Sequence, residues 1–247
     1  MIAGLRLWLS TNPACILGLV LISHRHRFIF LKTRKAAGTS LEIALSRFLG
    51  LDDVITPMAE QSQPDFTGQG PWNYSIPEES WRFRHRLRAT VGKPPAFSQH
   101  TPAKVVKLFV SEEVWNTYFK FTTERNSWDL AVSAYWWYQH RHQPGISWAD
   151  FVNSKALATY SNWPIYTIED RIVADRVLRY ENLDRDLPEL ARELGVPTLD
   201  LPQAKSGYRP PGHYRDMYDA STRRRVAEVF SREIENFGWA FGERIET

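Results

Sequence analysis

Hydrophobic and polar positions divide the chain into short apolar runs, each followed by a stretch with helical spacing. Phe28-Ile29-Phe30-Leu31 predicts a buried strand. Beyond it, Leu41, Ala44, Leu45, Phe48 and Leu49 fall at i, i+3, i+4, i+7 and i+8, which predicts a helix with Gly50 at its C-terminal end. Tyr118 to Arg125 alternates polar and apolar like a strand, and Asn126-Ser127-Trp128-Asp129 supplies capping side chains for a helix over Leu130 to His140. Val177-Leu178-Arg179-Tyr180 predicts a third strand, and Leu183, Leu187, Leu190, Ala191 and Leu194 before Gly195 predict the helix after it. Strands alternating with helices argue for an α/β fold with a mostly parallel central sheet flanked by helices.

What lies between the first strand and its helix carries the chemistry. In Lys32-Thr33-Arg34-Lys35-Ala36-Ala37-Gly38-Thr39-Ser40, small side chains let backbone N–H groups crowd an anion. The helix start adds unpaired donors and partial positive charge, and Lys35 adds a full charge. Such a turn suits a nucleotide phosphate. It is not the Walker A loop, which needs G-x-x-x-x-G-K-[ST], because here Lys35 precedes Gly38 and the loop holds no earlier glycine. At the end of the next strand, Arg125 offers a planar fork to phosphate oxygens, and Ser133 in the following helix leans back toward it.

The order K-A-A-G-T-S resembles the K-T-G-G-T-S element of the sulfotransferases that use 3′-phosphoadenosine 5′-phosphosulfate (PAPS). Arg125-Asn126-Ser127-Trp128-Asp129-x-x-x-Ser133-x-Tyr135 is similar to that family's second signature, R-[ND]-P-x-x-R-x-x-S-x-Y, with Ser127 in place of proline and Leu130 in place of the second arginine. Arg179-Tyr180-Glu181-Asn182-Leu183 looks like the R-Y-E-[ND]-L corner many members carry, where a structural role is expected. Lys205-Ser206-Gly207-Tyr208-Arg209, followed by His213 to Asp219, resembles the late loop of carbohydrate sulfotransferases, with Lys205 in place of asparagine.

The resemblance, to a carbohydrate or heparan-type enzyme of bacterial-like form, implies a P-loop-like sheet and PAPS as co-substrate. It assigns Lys35, Ala36, Ala37, Gly38, Thr39 and Ser40 to the 5′-phosphosulfate, Arg125 and Ser133 to the 3′-phosphate, and Arg209 to the closing loop. The implied reaction is sulfuryl transfer to a hydroxyl of a carbohydrate or glycolipid, with Lys35 also serving the leaving group. No metal is expected, since the family relies on cations and backbone donors. For the base we expect His100, which lies between the two nucleotide elements as the catalytic histidine does in uronyl and glucosaminyl sulfotransferases. An imidazole suits proton abstraction near neutral pH. Glu42 and Asp52 are the alternative bases. A phosphotransferase with a variant loop and a non-enzymatic nucleotide- or nucleic-acid-binding module are the competing functions.

Composition sets bounds. The 247 residues suffice for one sizeable core, so a single domain over 1–247 is expected, with residues 53–102, rich in Pro, Gly, Gln and Trp, as an irregular insertion on the acceptor side. There Trp72, Tyr74 and Trp81 are candidates for stacking on sugar rings, while Trp136-Trp137-Tyr138 is expected to be core or interface. The net charge of +3 suits an anionic ligand. The basic run Trp81 to Arg88 is expected to be a solvated face, and no RNA-binding signature accompanies it, so no nucleic-acid partner is expected. Cys15 is the single cysteine, which excludes an internal disulfide and fits a reducing compartment. Ala14 to Ile22 is apolar but too short to span a bilayer. Residues 1–22 are therefore taken as a packed terminal segment of a cytoplasmic protein, with contact to a membrane surface left open. No coiled coil or other assembly signal stands out.

Overall fold

A computed structural model describes residues 20–57, 66–75, 100–202 and 208–242. The centre is a four-stranded mixed sheet of β1 (Val20–Ser23), β2 (Phe28–Leu31), β3 (Phe119–Glu124) and, fourth in the sheet, the later strand Arg176–Arg179. β1 runs antiparallel to β2, whereas β2, β3 and the fourth strand are parallel. The expected mostly parallel α/β sheet is thus present. Its first strand comes from the end of the apolar stretch Ala14–Ile22, and residues 1–19 lie outside the described residues.

The helices follow from the same periodicities. α1 (Gly38–Ser46) comes after β2, and α2 (Ala103–Phe109) and α3 (Glu112–Thr117) lead into β3. α4 (Ser127–Arg141) follows β3, capped by Asn126, whose side chain accepts from the Trp128 N–H. α5 (Trp148–Asn153), α6 (Lys155–Ala158) and α7 (Trp163–Tyr166) precede a small hairpin of β4 (Thr167–Ile168) and β5 (Arg171–Ile172). The fourth strand of the main sheet is therefore β6. A 3₁₀ turn at Tyr180–Asn182 then opens α8 (Leu183–Leu194), which ends on Gly195 at φ 65°, the left-handed position where glycine costs least. α9 (Ala220–Val229) starts with a capping box at Asp219 and Thr222, and α10 (Ser231–Phe237) follows.

Strand alternation sorts the core into two faces. Phe28, Phe30, Phe121 and Leu178 pack with Leu41, Ala44 and Leu45 of α1 and the leucines of α8. Ile29 and Leu31 point the other way, against Val106 of α2, Trp115 of α3 and Ile165 of α7. A third apolar cluster joins α4, α5, α6, α9 and α10.

One boundary differs from expectation. α1 stops at Ser46, so Phe48, Leu49 and Gly50 lie beyond it. Tight turns (Phe48 N–H to Leu45 O, Leu49 N–H to Ser46 O) close the helix, and the Asp53 carboxylate accepts from the Gly50 N–H at 2.8 Å. Gly50 is therefore not a left-handed cap, and an acidic side chain three residues on does the terminating. Of the 53–102 region, Val54 bridges Ile22 and Ile55 bridges Trp72, which extends the sheet beyond β1. Residues 58–65 and 76–99, including Trp81 and the basic run to Arg88, lie outside the described residues. Among the described residues no helix is long and apolar enough to cross a membrane.

Candidate functional site

Because β2, β3 and β6 are parallel and in register (Phe28 beside Phe119, Glu124 beside Arg179), their carboxyl ends reach one edge of the sheet. Ligands of open α/β sheets bind at that edge. The loop after β2, Arg125 after β3 and the Tyr180–Asn182 corner after β6 all meet there.

The loop is held by its carbonyl groups. Leu31 O accepts from Thr122 Oγ1 at 2.5 Å and Lys32 O from His100 Nδ1 at 3.0 Å. Arg34 O accepts from Asn162 Nδ2 at 3.1 Å, Lys35 O from Arg125 Nη1 at 3.1 Å and Ala36 O from Thr123 Oγ1 at 2.6 Å. Ala37 O takes the Leu41 N–H at 3.0 Å. The amide N–H groups of Ala36, Ala37, Gly38 and Thr39, by contrast, have no acceptor among the described residues. α1 also begins without a side-chain cap. Carbonyls committed to the protein and N–H groups left over make a concavity of positive potential. Lys35 and Ala37 both adopt φ 59°, strained for residues with a Cβ, and such strain concentrates at functional sites. Gly38 is required for another reason: a Cβ there would stand 2.7 Å from Lys32 Cγ and 2.8 Å from Thr33 O.

A second wall comes from β3 and α4. Arg125 donates from Nε to Asp129 at 2.7 Å and lies 4.1 Å over the Tyr180 ring. The Arg209 guanidinium reaches the other oxygen of the same carboxylate. Burial pushes the Asp129 carboxyl up, but Arg125 and Arg209 outweigh it, so the group is held below the ordinary aspartate value. Ser133 is half-buried one turn beyond Asp129, and Trp137 follows one turn later on the same helix face. Lys35 Nζ sits 4.8 Å from the Trp137 ring centre, the Arg141 guanidinium lies 5.1 Å from it, and Tyr208 meets it edge-on. Ser133 is thus bracketed along α4 by Arg125 at one end and Lys35 at the other. Four cations, Lys35, Arg125, Arg141 and Arg209, gather here against the carboxyl groups of Asp129 and Glu181, a balance that favours an anionic guest.

Polar groups are also buried beneath the loop. Lys32 Nζ pairs with Glu42 at 2.7 Å, both almost fully enclosed. Asn162 accepts from the Arg34 N–H at 2.8 Å and donates to Glu124 Oε1 at 2.9 Å. Burial raises the Glu124 carboxyl to about 8, against the pull of hydrogen bonds from Asn162 and the Arg125 N–H. Arg34 itself is partly buried, and that desolvation lowers its pKa.

The structure therefore brings Lys35, Ala36, Ala37, Gly38, Thr39, Ser40, Arg125, Ser133 and Arg209 to one edge, with His100 beside them at Lys32 O. A carbonyl oxygen only accepts, so His100 Nδ1 carries the hydrogen, which puts the lone pair of the neutral form on Nε2. Glu42 is engaged by Lys32 inside the core, and Asp52 stands on the exposed turn after α1. The Tyr180–Glu181 corner supports the site: Tyr180 underlies Arg125, and Glu181 accepts from the Asn126 N–H at 2.8 Å. Trp72 is spoken for structurally, its indole donating to Gly50 O at 2.8 Å, and Tyr74 packs against the second core face. Residues 203–207, with Lys205, lie outside the described residues.

Three contributors were not foreseen. Asp129 was expected only as a cap, although its i, i+4 spacing from Arg125 is a readable signal. Trp137 was assigned to core or interface. Asn162 has no local signature, since its partners are 38 and 128 residues away in sequence. Comparison of the chain with protein-family profiles, with curated proteins and with solved structures returns no match.

Proposed function

We propose that the chain is a sulfotransferase that binds PAPS in a P-loop-like cradle and transfers its sulfuryl group to a hydroxyl of a carbohydrate or glycolipid. One observation carries this assignment: Arg125 Nη1 donates to Lys35 O at 3.1 Å, so the two nucleotide signatures form a single wall. A loop with spare N–H groups at one end of that wall and an arginine and serine at the other suit a nucleotide bearing phosphates on both its 5′ and 3′ positions. A 5′-triphosphate would not need the second set.

When bound, PAPS supplies the sulfuryl group, whose bond to the 5′-phosphate oxygen breaks as the acceptor oxygen attaches. The amides of Ala36 to Thr39 and the α1 N-terminus hold the 5′ end and steady the charge that grows on the leaving oxygen. Lys35, kept on the α4 face by Trp137, adds a full positive charge beside them. Arg125 and Ser133 fix the 3′-phosphate, and Arg209 reinforces that end through Asp129. His100, oriented by Lys32 O, takes the hydroxyl proton on Nε2.

The test is calorimetry with adenosine 3′,5′-bisphosphate, 5′-AMP and ATP. The bisphosphate should bind tightest, and Arg125→Ala should erase about one to two decades of its advantage, the worth of a charge-assisted contact. Equal affinity for the bisphosphate and 5′-AMP in the unmutated protein would overturn the assignment, and preference for ATP would favour a phosphotransferase. His100→Asn is the companion variant, because asparagine tolerates the φ of 65° found there and retains a donor for Lys32 O. It should slow transfer by about 10² to 10⁴ while leaving bisphosphate affinity unchanged.

A further inference from the structure

We propose that Asn162 is the positioning residue of the anion loop, clamping the Arg34 main chain against the buried carboxyl group of Glu124. Its amide uses both ends. Oδ1 accepts the Arg34 N–H at 2.8 Å, and Nδ2 donates to Arg34 O at 3.1 Å and to Glu124 Oε1 at 2.9 Å. An amide holding both the N–H and the C=O of one residue fixes that peptide pair as a β-ladder partner would. The residue held is the one before Lys35, so the clamp sets where the strained, left-handed Lys35 begins. Arg125, just beyond β3, and Thr123 within it hold the next two carbonyls, whereas Asn162 reaches Arg34 from outside the sheet.

The anchor behind the clamp is unusual in its chemistry. Glu124 is wholly enclosed, and its Oε1 accepts from Asn162 and from the Arg125 N–H. Its Oε2 has no hydrogen-bond partner among the described residues. The groups that face it are Tyr166 of α7, whose hydroxyl approaches without reaching hydrogen-bond geometry, and the buried carboxylate of Glu233 of α10. Glu233 is itself occupied by Ser161 Oγ at 2.6 Å and the Trp163 N–H at 3.2 Å. The Arg125 guanidinium turns away to Asp129, and the Arg34 side chain lies near Tyr160. No cation among the described residues therefore neutralises Glu124, and burial keeps it protonated up to a pH of about 8. Opening this site to water would return the Glu124 carboxyl to its ordinary range and let it ionise, so opening becomes progressively easier as pH rises from the ordinary value of 4.5 to about 8, and no easier beyond it. The clamp is therefore firmest in mild acid, loosens as pH rises through neutrality and levels off near pH 8.

Hydrogen exchange on the full-length protein tests this without any ligand. Between pH 5 and 9, after correction for intrinsic rates, the hydrogen-bonded amides of the loop segment, Arg34 and Leu41, should lose protection as pH rises and level off near pH 8, while those of α8 should not. Asn162→Ala should speed exchange in that segment by about tenfold or more, equivalent to one broken contact of 1.4 kcal/mol. Glu124→Gln keeps an acceptor for Asn162 and should flatten the pH dependence. The second readout rests on the function proposed above: Asn162→Ala should weaken adenosine 3′,5′-bisphosphate about tenfold. If Asn162→Ala does not fold, Asn162→Asp takes its place: it retains the acceptor for the Arg34 N–H but loses the donor to Arg34 O and Glu124 Oε1, so faster exchange at Leu41 is its readout. Loop protection unchanged in the Asn162 variant overturns the clamp, and a pH-dependent loss that survives in Glu124→Gln overturns its coupling to Glu124. Exchange as expected with no bisphosphate binding to the unmutated protein would leave the clamp standing and overturn the sulfotransferase assignment instead.

Discussion

α1 and α8 pack on the same face of the sheet, against Phe28 and Phe30, yet they treat polar residues in opposite ways. α8 buries Leu183, Leu187, Leu190, Ala191 and Leu194 and leaves its charged positions toward water. α1 buries all nine of its residues, among them Thr39, Ser40, Glu42 and Ser46. Each helix carries an ion pair to a preceding strand segment, Glu42 with Lys32 and Glu189 with Arg176, and both pairs are 2.7 Å long. The first has side chains 3% and 1% exposed, the second 24% and 60%. A helix that only completes a core can leave its charges in water. α1, which opens the candidate loop, carries polar groups inward, and each then depends on a partner.

The sharpest way to break the comparison is Lys32→Ala. It takes the ammonium away from the enclosed Glu42 carboxylate, and should cost about 3 to 5 kcal/mol in urea unfolding. Replacing both partners, Lys32→Met with Glu42→Leu, should recover most of that loss, because the pair owes its importance to burial rather than to net attraction. Next in size is Ala37→Gly. Relieving a left-handed alanine should raise stability by up to about 1 kcal/mol, with bisphosphate affinity retained; a loss of stability would show that the loop is unstrained. The smallest effect belongs to Glu189→Ala, expected below about 1 kcal/mol for an exposed pair of the same length. If Glu189→Ala costs as much as Lys32→Ala, burial is not what separates the two helices.

Much of the frame was legible because it is written in neighbours. Phe28–Leu31, the alternation through Tyr118 to Arg125 and the leucine spacing of α8 are short-range patterns, and each became the element expected. Lys35, Gly38 and Arg125 could be placed at element boundaries for the same reason, and Ser133 within α4. The support behind them was not. Lys32 and Glu42 sit on different elements, and Asn162 meets Arg34 only because α7 packs beneath the sheet edge. No periodicity spans such distances. β1 was hidden by its brevity: four apolar residues at the end of an apolar stretch look the same whether they extend or coil. The early stop of α1 was set by Asp53, a side chain outside the helix that periodicity does not weigh.

The tethered carbonyls of the loop have a consequence for timing. Lys32, Arg34, Lys35 and Ala36 are all tied to the body of the protein through their main-chain oxygens, so the conformational entropy of this segment is surrendered once, as the chain folds. An anion arriving at the loop meets amides already in place and need not order them. Capture should then be a single-step encounter, accelerated by the surrounding cations and slowed by salt, with a rate that is linear in ligand concentration.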